Sequence, residues 1–349
     1  MCDTEIRTQI HKQVATIELC RPKALHSLNL AMVEQITTAL RSWEHDPTIE
    51  AIIIVARGGK GFCAGGDVRQ AREFMLTEDP RVEDFFHAEY RMNAYMASYP
   101  KPLVALVDGV VMGGGMGLSG HCNYRVISPK TFGAMPEAAI GFCPDVGMTG
   151  FYRDTLNDPV LSNFILGLGW HMQASDLRWA GFATHVCADM DALEAEIYEH
   201  GLEQALSNLP EIELEESWLA THAAEIQTIG MQSWEQLAPA ILQSSFAEQA
   251  QRYLEQANPE SLVATQMLVE AVAETRGVQA SIYAEYLVGK VLRYRPNFVE
   301  GVRAVLVDKD KNPNFSPAIL DEVSTEFRHE VASALEQVPV QDWLSPRSS

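Results

Sequence analysis

The chain has no apolar run long enough to cross a bilayer, which takes about 20 residues in a helix. Its longest, AIIIVA (51–56) and LVALV (103–107), are only strand length. The six cysteines (Cys2, Cys20, Cys63, Cys122, Cys143, Cys187) form no C-x-x-C and no tight spacing. A disulfide scaffold and a zinc ribbon are therefore not expected, and scattered thiols in a large chain point to a reduced, cytoplasmic setting. The opening MCDTEIRTQI lacks an apolar h-region, so no secretory signal is expected. Basic charge is scarce: 26 Lys and Arg face 47 Asp and Glu, for a net charge of −21. Without a basic stripe, nucleic acid is not an expected partner. The acid excess reads as solubility, although a local pocket can still take an anionic small ligand. No internal repeat and no low-complexity tract is visible.

What is present is ordinary globular composition, 47% hydrophobic and 21% charged over 349 residues. That suffices for a large core in one big domain or two smaller ones. QVATIEL (13–19) and YRVIS (124–128) read as strands. AIIIVA (51–56) and LVALVDG (103–109) read as strands buried on both faces. Between them lie helical patterns at 30–46, with Val33, Ile36, Leu40 and Trp43 on one face, and at 82–100. Alternating strands and helices indicate an α/β architecture. After about residue 190 the strand signals fade. Residues 191–206 and the acidic 211–218 read as exposed helix, and 258–275 as a helix capped by Asn258 with Pro259 in its first turn. The expected organisation is a core over 1–190 and a mostly helical region over 191–349.

Two glycine-rich loops leave the buried strands: GKGFCAGGDV (59–68) and GVVMGGGMGLSG (109–120). Closely spaced glycines let backbone N–H groups face a ligand oxygen unobstructed. One N–H from each loop would make an oxyanion hole. Gly115, Gly117 and Gly120 also spell G-x-G-x-x-G, with Glu137 20 residues beyond Gly117. The preceding strand ends near Asp108, several residues too early for a dinucleotide fingerprint.

Carboxylates supply the remaining chemistry. In MPEAAIGFCPDVG (135–147), Glu137 and Asp145 each follow a proline, and they read either as turn acids or as a working pair. Cys143 between them reads as small-residue packing or as a thiol nucleophile. On the 82–99 helix, Glu89 falls in an apolar stripe with Phe85, Met92 and Met96. A carboxylate there is costly without a partner, so it is expected to face an acyl pocket and accept a hydroxyl, unless its head reaches water at the stripe edge. His121 and Cys122 show no metal-ligand spacing, and no metal is expected.

FCAGGD (62–67), MGGGMGLS (112–119) and FGAMPEAAIG (132–141), with RPKALHSL (21–28) before them, resemble the enoyl-CoA hydratase/isomerase (crotonase) superfamily. FFHAEYRMN (85–93), MPEAAIGFCPDVG and EGVRAVLVDKDKNPNF (300–315) are similar to its 3-hydroxyisobutyryl-CoA hydrolases. The resemblance implies a crotonase-like spiral of ββα turns, an acyl-CoA substrate, no cofactor beyond the CoA carried by the substrate, and compatibility with a homo-oligomer. It places Gly66 and Gly114 at the oxyanion-hole amides, Ala64 at a carbonyl facing adenine, and Lys23 near a CoA phosphate. Glu137 matches the second catalytic glutamate of the hydratases, whereas Gly117 stands where their first one lies. Asp145 stands where the hydrolases carry an aspartate, and Glu89 where they carry a glutamate. Met148 and Arg153 depart from the hydrolase pattern, which bears on acyl preference. The implied activity is hydrolysis of a short acyl-CoA thioester, with 3-hydroxyisobutyryl-CoA of valine degradation as the expected substrate. The rivals are an isomerase or hydratase using Glu137 alone, and a catalytically silent CoA-binding protein.

Overall fold

The computed structural model describes residues 4–338. Among the described residues, ten strands form two sheets: β1 (Ile6–His11), β2 (Val14–Leu19), β3 (Ala51–Ala56), β4 (Gly61–Cys63), β5 (Leu103–Val107), β6 (Val110–Met112), β7 (Tyr124–Ile127), β8 (Phe132–Ala134), β9 (Met172–Gln173) and β10 (His185–Val186). The first sheet runs β1-β2-β3-β5-β7-β10, and the second β4-β6-β8-β9. Only the β1–β2 hairpin is antiparallel in the first sheet. β2 and β5 are buried along their whole length and β3 along nearly all of it, as a parallel sheet covered on both faces requires. Ile53, Val55, Val104, Leu106 and Val126 pack in one cluster with Leu193 and Ile197 of the helix Met190–His200. Each such side chain contributes roughly 1.5–3 kcal/mol when fully buried.

The chain repeats one path three times. β3 leads to β4 and the helix Val68–Leu76, β5 to β6 and the helix Gly114–Gly120, and β7 to β8 and the 3-10 turn Glu137–Ile140. Each turn takes one strand from the first sheet, one from the second, then a helix. This is the expected ββα spiral, and it carries no sequence repeat. The second-sheet strands are three residues or fewer in this path, too short for a period of two to register.

After β10 every described element is helical. Two expectations need correcting there. The 191–206 stretch is two helices, Met190–His200 and Leu202–Ser207, broken at Gly201, whose φ is +83°. Residues 211–217 are not helical. They follow Pro210, and Glu211 would face Glu215 one turn on, a like-charge pair that disfavours helix. The helix begins only at Trp218, after Ser217 donates to Asp176 at 2.7 Å. The helix at 258–275 forms as read: Pro259–Ala273, with the Asn258 side chain accepting from the Ser261 amide.

The contacts group the chain into two interleaved units. One comprises residues 1–67, 91–133 and 171–221, and the other 68–90, 134–170 and 222–349. The change of texture near residue 190 thus marks where strands end, while compactness follows a discontinuous partition. The first unit holds nearly all of both sheets. The second is built on the helices Met148–Leu156, Pro159–Leu168, Pro259–Ala273 and Val278–Arg293.

Candidate active site

In the first unit, the two glycine loops put backbone amides at defined places. Leu28 N–H donates to the Gly65 carbonyl at 2.8 Å, and Asp67 N–H donates to the Leu28 carbonyl at 2.7 Å. In this parallel bridge the residue between, Gly66, has its own N–H turned away from Leu28. Gly114 is the first residue of the helix Gly114–Gly120, so its N–H has no acceptor within that helix. Gly65 has φ +106°, and a Cβ there would lie 3.2 Å from the Met112 carbonyl oxygen and 3.5 Å from the Gly114 nitrogen. Only glycine lets these two loops approach so closely. Ala64 is half-buried, its N–H donating to Leu25 at 3.0 Å, while Lys23 is exposed on the 3-10 turn Pro22–Ala24. Gly117 lies buried in its helix and offers no side chain.

In the second unit, four carboxylates converge. Glu89 is 2% exposed, Glu137 7%, Asp145 6% and Glu285 0%. The first three were expected to serve a site; Glu285 was not. Glu137 opens its 3-10 turn directly after β8, and one of its oxygens, Oε2, lacks a hydrogen-bond partner. Glu89 lies in the helix Arg81–Met96, buried with Phe85, Met92 and Met96 as the stripe required, and its Oε1 is likewise unpartnered. Leaving a buried polar atom unsatisfied costs about 1–3 kcal/mol, more for a charge. The fold tolerates that cost twice in one cluster. Asp145 instead accepts the Tyr90 phenol at 2.7 Å.

Burial pushes Glu137 well above the usual carboxylate range, and the charges of Asp145, Glu285 and Glu89 push it further. Glu89 rises for the same reasons, burial first and then Asp145. Asp145 rises through burial to about 7, held down by the Tyr90 hydrogen bond and the Arg293 guanidinium. The Tyr90 donor favours an ionised Asp145, whereas Glu137 keeps an oxygen with no donor on it. Arg293 is fully buried against the rings of Phe86 and Tyr286, and it donates to Glu83 through Nε and Nη2. Cys143 is buried, and burial followed by Asp145, Glu285 and Glu137 raises its thiol far above the ordinary range. A thiolate is thus disfavoured there, and the packing reading stands.

The backbone after Asp145 is strained. Val146 has φ +53° and Gly147 φ +85°. For a β-branched residue the left-handed region costs of order 1–3 kcal/mol and persists only where neighbours impose it. Met148 is fully buried. Arg153 ties down the far end of the helix Pro259–Ala273, with Nη1 donating to the Val272 and Thr275 carbonyls at 3.3 and 3.1 Å.

Sequence reading missed Tyr90, Glu285 and Arg293. Tyr90 adjoins Glu89 and passes as one more aromatic. Glu285 was detectable by the logic that found Glu89, since Ile282, Val288 and Leu292 share its face of one helix. Arg293 falls in the last turn of that helix, where a cation is ordinary. Among the described residues, no three His, Cys, Asp or Glu side chains group as metal ligands, and no helix is long and apolar enough to cross a membrane.

A family model described as enoyl-CoA hydratase/isomerase matches residues 14–331. The 3-hydroxyisobutyryl-CoA hydrolase, mitochondrial, of Gallus gallus is 36% identical over 326 residues, covering 89% of this chain and 84% of the relative. The protein of that name from Homo sapiens is 37% identical over 327 residues, covering 89% and 83%. Among solved structures, a carnitinyl-CoA dehydratase from Mycobacterium thermoresistibile superposes with a TM-score of 0.90 at 30% identity, covering 99% of this chain and 100% of that one. An enoyl-CoA hydratase from Rhodobacter sphaeroides 2.4.1 reaches 0.83 at 31%, covering 95% and 97%.

Proposed function

The chain belongs to the enoyl-CoA hydratase/isomerase family, and from that premise we propose that it hydrolyses a short acyl-CoA thioester, with 3-hydroxyisobutyryl-CoA as substrate. One observation carries the choice of reaction. The hydratases' first glutamate position is Gly117, a buried helical glycine, while a second acid, Asp145, lies buried in the same cluster as Glu137. Adding water across a double bond, as the two-glutamate enzymes do, lacks one of its groups. Cleaving a thioester does not need it, because a CoA thiolate leaves without a strong general acid.

In this reading the amides of Gly66 and Gly114 take the developing oxyanion, an interaction worth roughly 3–4 kcal/mol per donor. Glu137 performs the attack by one of two routes. Its carboxylate adds to the carbonyl, the C–S bond breaks to release CoA thiolate, and water then hydrolyses the mixed anhydride. Otherwise it removes a proton from a water that adds instead, and the tetrahedral adduct expels the thiolate. The raised affinity of Glu137 for protons suits both. Asp145 orients the water or the substrate hydroxyl, and the free Oε1 of Glu89 accepts that hydroxyl. Ala64 and Lys23 serve the adenine and a phosphate of CoA, and no further cofactor is invoked.

The test is CoA release from 3-hydroxyisobutyryl-CoA, followed with a thiol reagent. Absence of thiol alongside hydration of crotonyl-CoA would sink the hydrolase reading. It would favour an enoyl-CoA hydratase or isomerase using Glu137 alone, the rival that the 0.90 superposition on a protein named dehydratase keeps in view. Binding of CoA with neither reaction would leave a silent CoA-binding protein. Hydroxylamine trapping of an acyl-enzyme separates the two attack routes. We further place the activity in valine catabolism, in the cytoplasm, with a homo-oligomer as the working assembly. Growth on valine, cell fractionation and light scattering address these in turn.

A further inference from the structure

Glu285 lies mid-helix in Val278–Arg293 and is fully buried. Its carboxylate makes three hydrogen bonds. It accepts the Gly147 amide at 2.5 Å, the Thr149 amide at 2.9 Å and the Thr149 hydroxyl at 2.5 Å. Gly147 and Thr149 form the start of the helix Met148–Leu156. A carboxylate there satisfies amides that the helix leaves without acceptors, and it lies at the positive end of the helix dipole. The approach is close by construction: a Cβ on Gly150 would fall 2.2 Å from Ser281 Oγ, one turn before Glu285. The gripped Gly147 is itself the second residue of the left-handed pair Val146–Gly147, and just before that pair stands Asp145, whose carbonyl accepts the Met148 amide at 3.0 Å. Such a bend persists only where its surroundings impose it.

We propose that Glu285 is the positioning residue of Asp145: by gripping the amides of Gly147 and Thr149 it fixes the Val146–Gly147 bend and so aims the Asp145 carboxylate at the Tyr90 hydroxyl and the reacting groups. Glu285 touches no substrate in this scheme and acts only through the loop. Its role in turnover rests on the hydrolase reading, while its grip on the bend does not. Burial raises Glu285 to about 8, the Thr149 hydroxyl and the two amides pull it down, and Asp145 pushes it up. The three donors thus pull the Glu285 carboxyl toward its ionised form, against burial.

The test compares wild type, Glu285→Gln, Asp145→Asn and the double variant. Glu285→Gln replaces one acceptor oxygen by an NH2 group, which would face a backbone N–H donor to donor, so one grip is lost at nearly constant volume. In crystal structures, Glu285→Gln is expected to relax the Val146–Gly147 bend and to part Tyr90 from Asp145 beyond hydrogen-bonding distance. An unchanged bend and an unchanged Tyr90–Asp145 bond would overturn the proposal, whatever the substrate proves to be. In CoA-release assays, kcat is expected to fall ~10–100-fold with KM within about threefold. In the Asp145→Asn background the same substitution is expected to cost less than about threefold, because both act through one group. An equal fold-loss in both backgrounds would reduce Glu285 to a general stabiliser. A wild type that releases no CoA defeats the hydrolase reading, and the crystallographic comparison still decides the grip. Should Glu285→Gln not fold, Thr149→Val removes only the hydroxyl donor, and the same two comparisons are read at smaller amplitude.

Discussion

At the scale of single residues, the cluster is organised by who has a partner. Asp145 has Tyr90, Glu285 has three donors, and Glu137 and Glu89 each hold one oxygen back. Glu137 must be ionised for either attack route, and burial raises its proton affinity. The rate should therefore climb with pH along a limb set higher than an ordinary glutamate would give. A kcat/KM profile flat from about pH 5 to 9 would contradict this. Glu137→Gln should lower kcat by ~1000-fold or more with the circular dichroism spectrum kept, and near-normal turnover would remove Glu137 from the mechanism. Tyr90→Phe deletes the donor that holds Asp145 down. Asp145 should then hold its proton to higher pH, and pH-rate profiles of the variant and wild type would show it as an alkaline displacement of the limb that Asp145 governs.

At the scale of elements, every expected catalytic position but Asp145 follows a second-sheet strand. Gly66 comes after β4, Gly114 after β6 and Glu137 after β8. One path repeated three times delivers two amides and a carboxylate. Gly65→Ala attacks this directly, since its Cβ would crowd the Met112 carbonyl and its φ of +106° suits only glycine. The expected result is a loss of kcat of at least ~30-fold, larger than any change in KM, with folding free energy lowered by about 1–3 kcal/mol in urea titration. Full activity in Gly65→Ala would show that this spacing does not matter. The long strands and helices were legible beforehand because burial on both faces and a 3.6-residue period leave a pattern in the residues. The short strands were not, since two or three residues hold no period. Residues 211–217 depart for a different reason: each glutamate favours helix singly, but Glu211 and Glu215 one turn apart repel each other.

At the scale of the whole molecule, stability and activity pull apart with pH. Glu89, Glu137, Asp145 and Glu285 are all raised in the folded state, the last two to about 7 and about 8. The native state thus binds more protons than the unfolded chain between the usual carboxylate range and those values. Their contribution to stability is full below the unfolded pKa, about 4, and is lost as pH rises through each raised folded pKa, which for Asp145 and Glu285 is about 7 and about 8. Glu83 runs the other way: burial raises it, but Arg293 more than offsets this and holds it below its ordinary value. Its contribution is present above the unfolded pKa and is lost as pH falls through the folded one. Thermal midpoints should accordingly peak in mildly acid buffer and decline toward pH 8, and the decline should shrink in Glu137→Gln. A variant and wild type with parallel pH–stability curves would refute the linkage. Three of the four raised groups, Glu89, Glu137 and Asp145, are the ones the proposed reaction uses directly.

Much of this protein follows from its sequence alone. The α/β class, the helical C-terminal part, the two amide-bearing loops and the carboxylates at 89, 137 and 145 are local properties, set by burial patterns, glycine spacing and short motifs. Tertiary structure decided what those acids are to one another. Tyr90 reaches Asp145 across 55 positions, and Glu285 reaches Gly147 across 138. No periodicity encodes such distances. Proton affinity depends on burial and on charges brought near by folding. Two acids after two prolines therefore become an unequal pair only once the helix Val278–Arg293 has packed beside them.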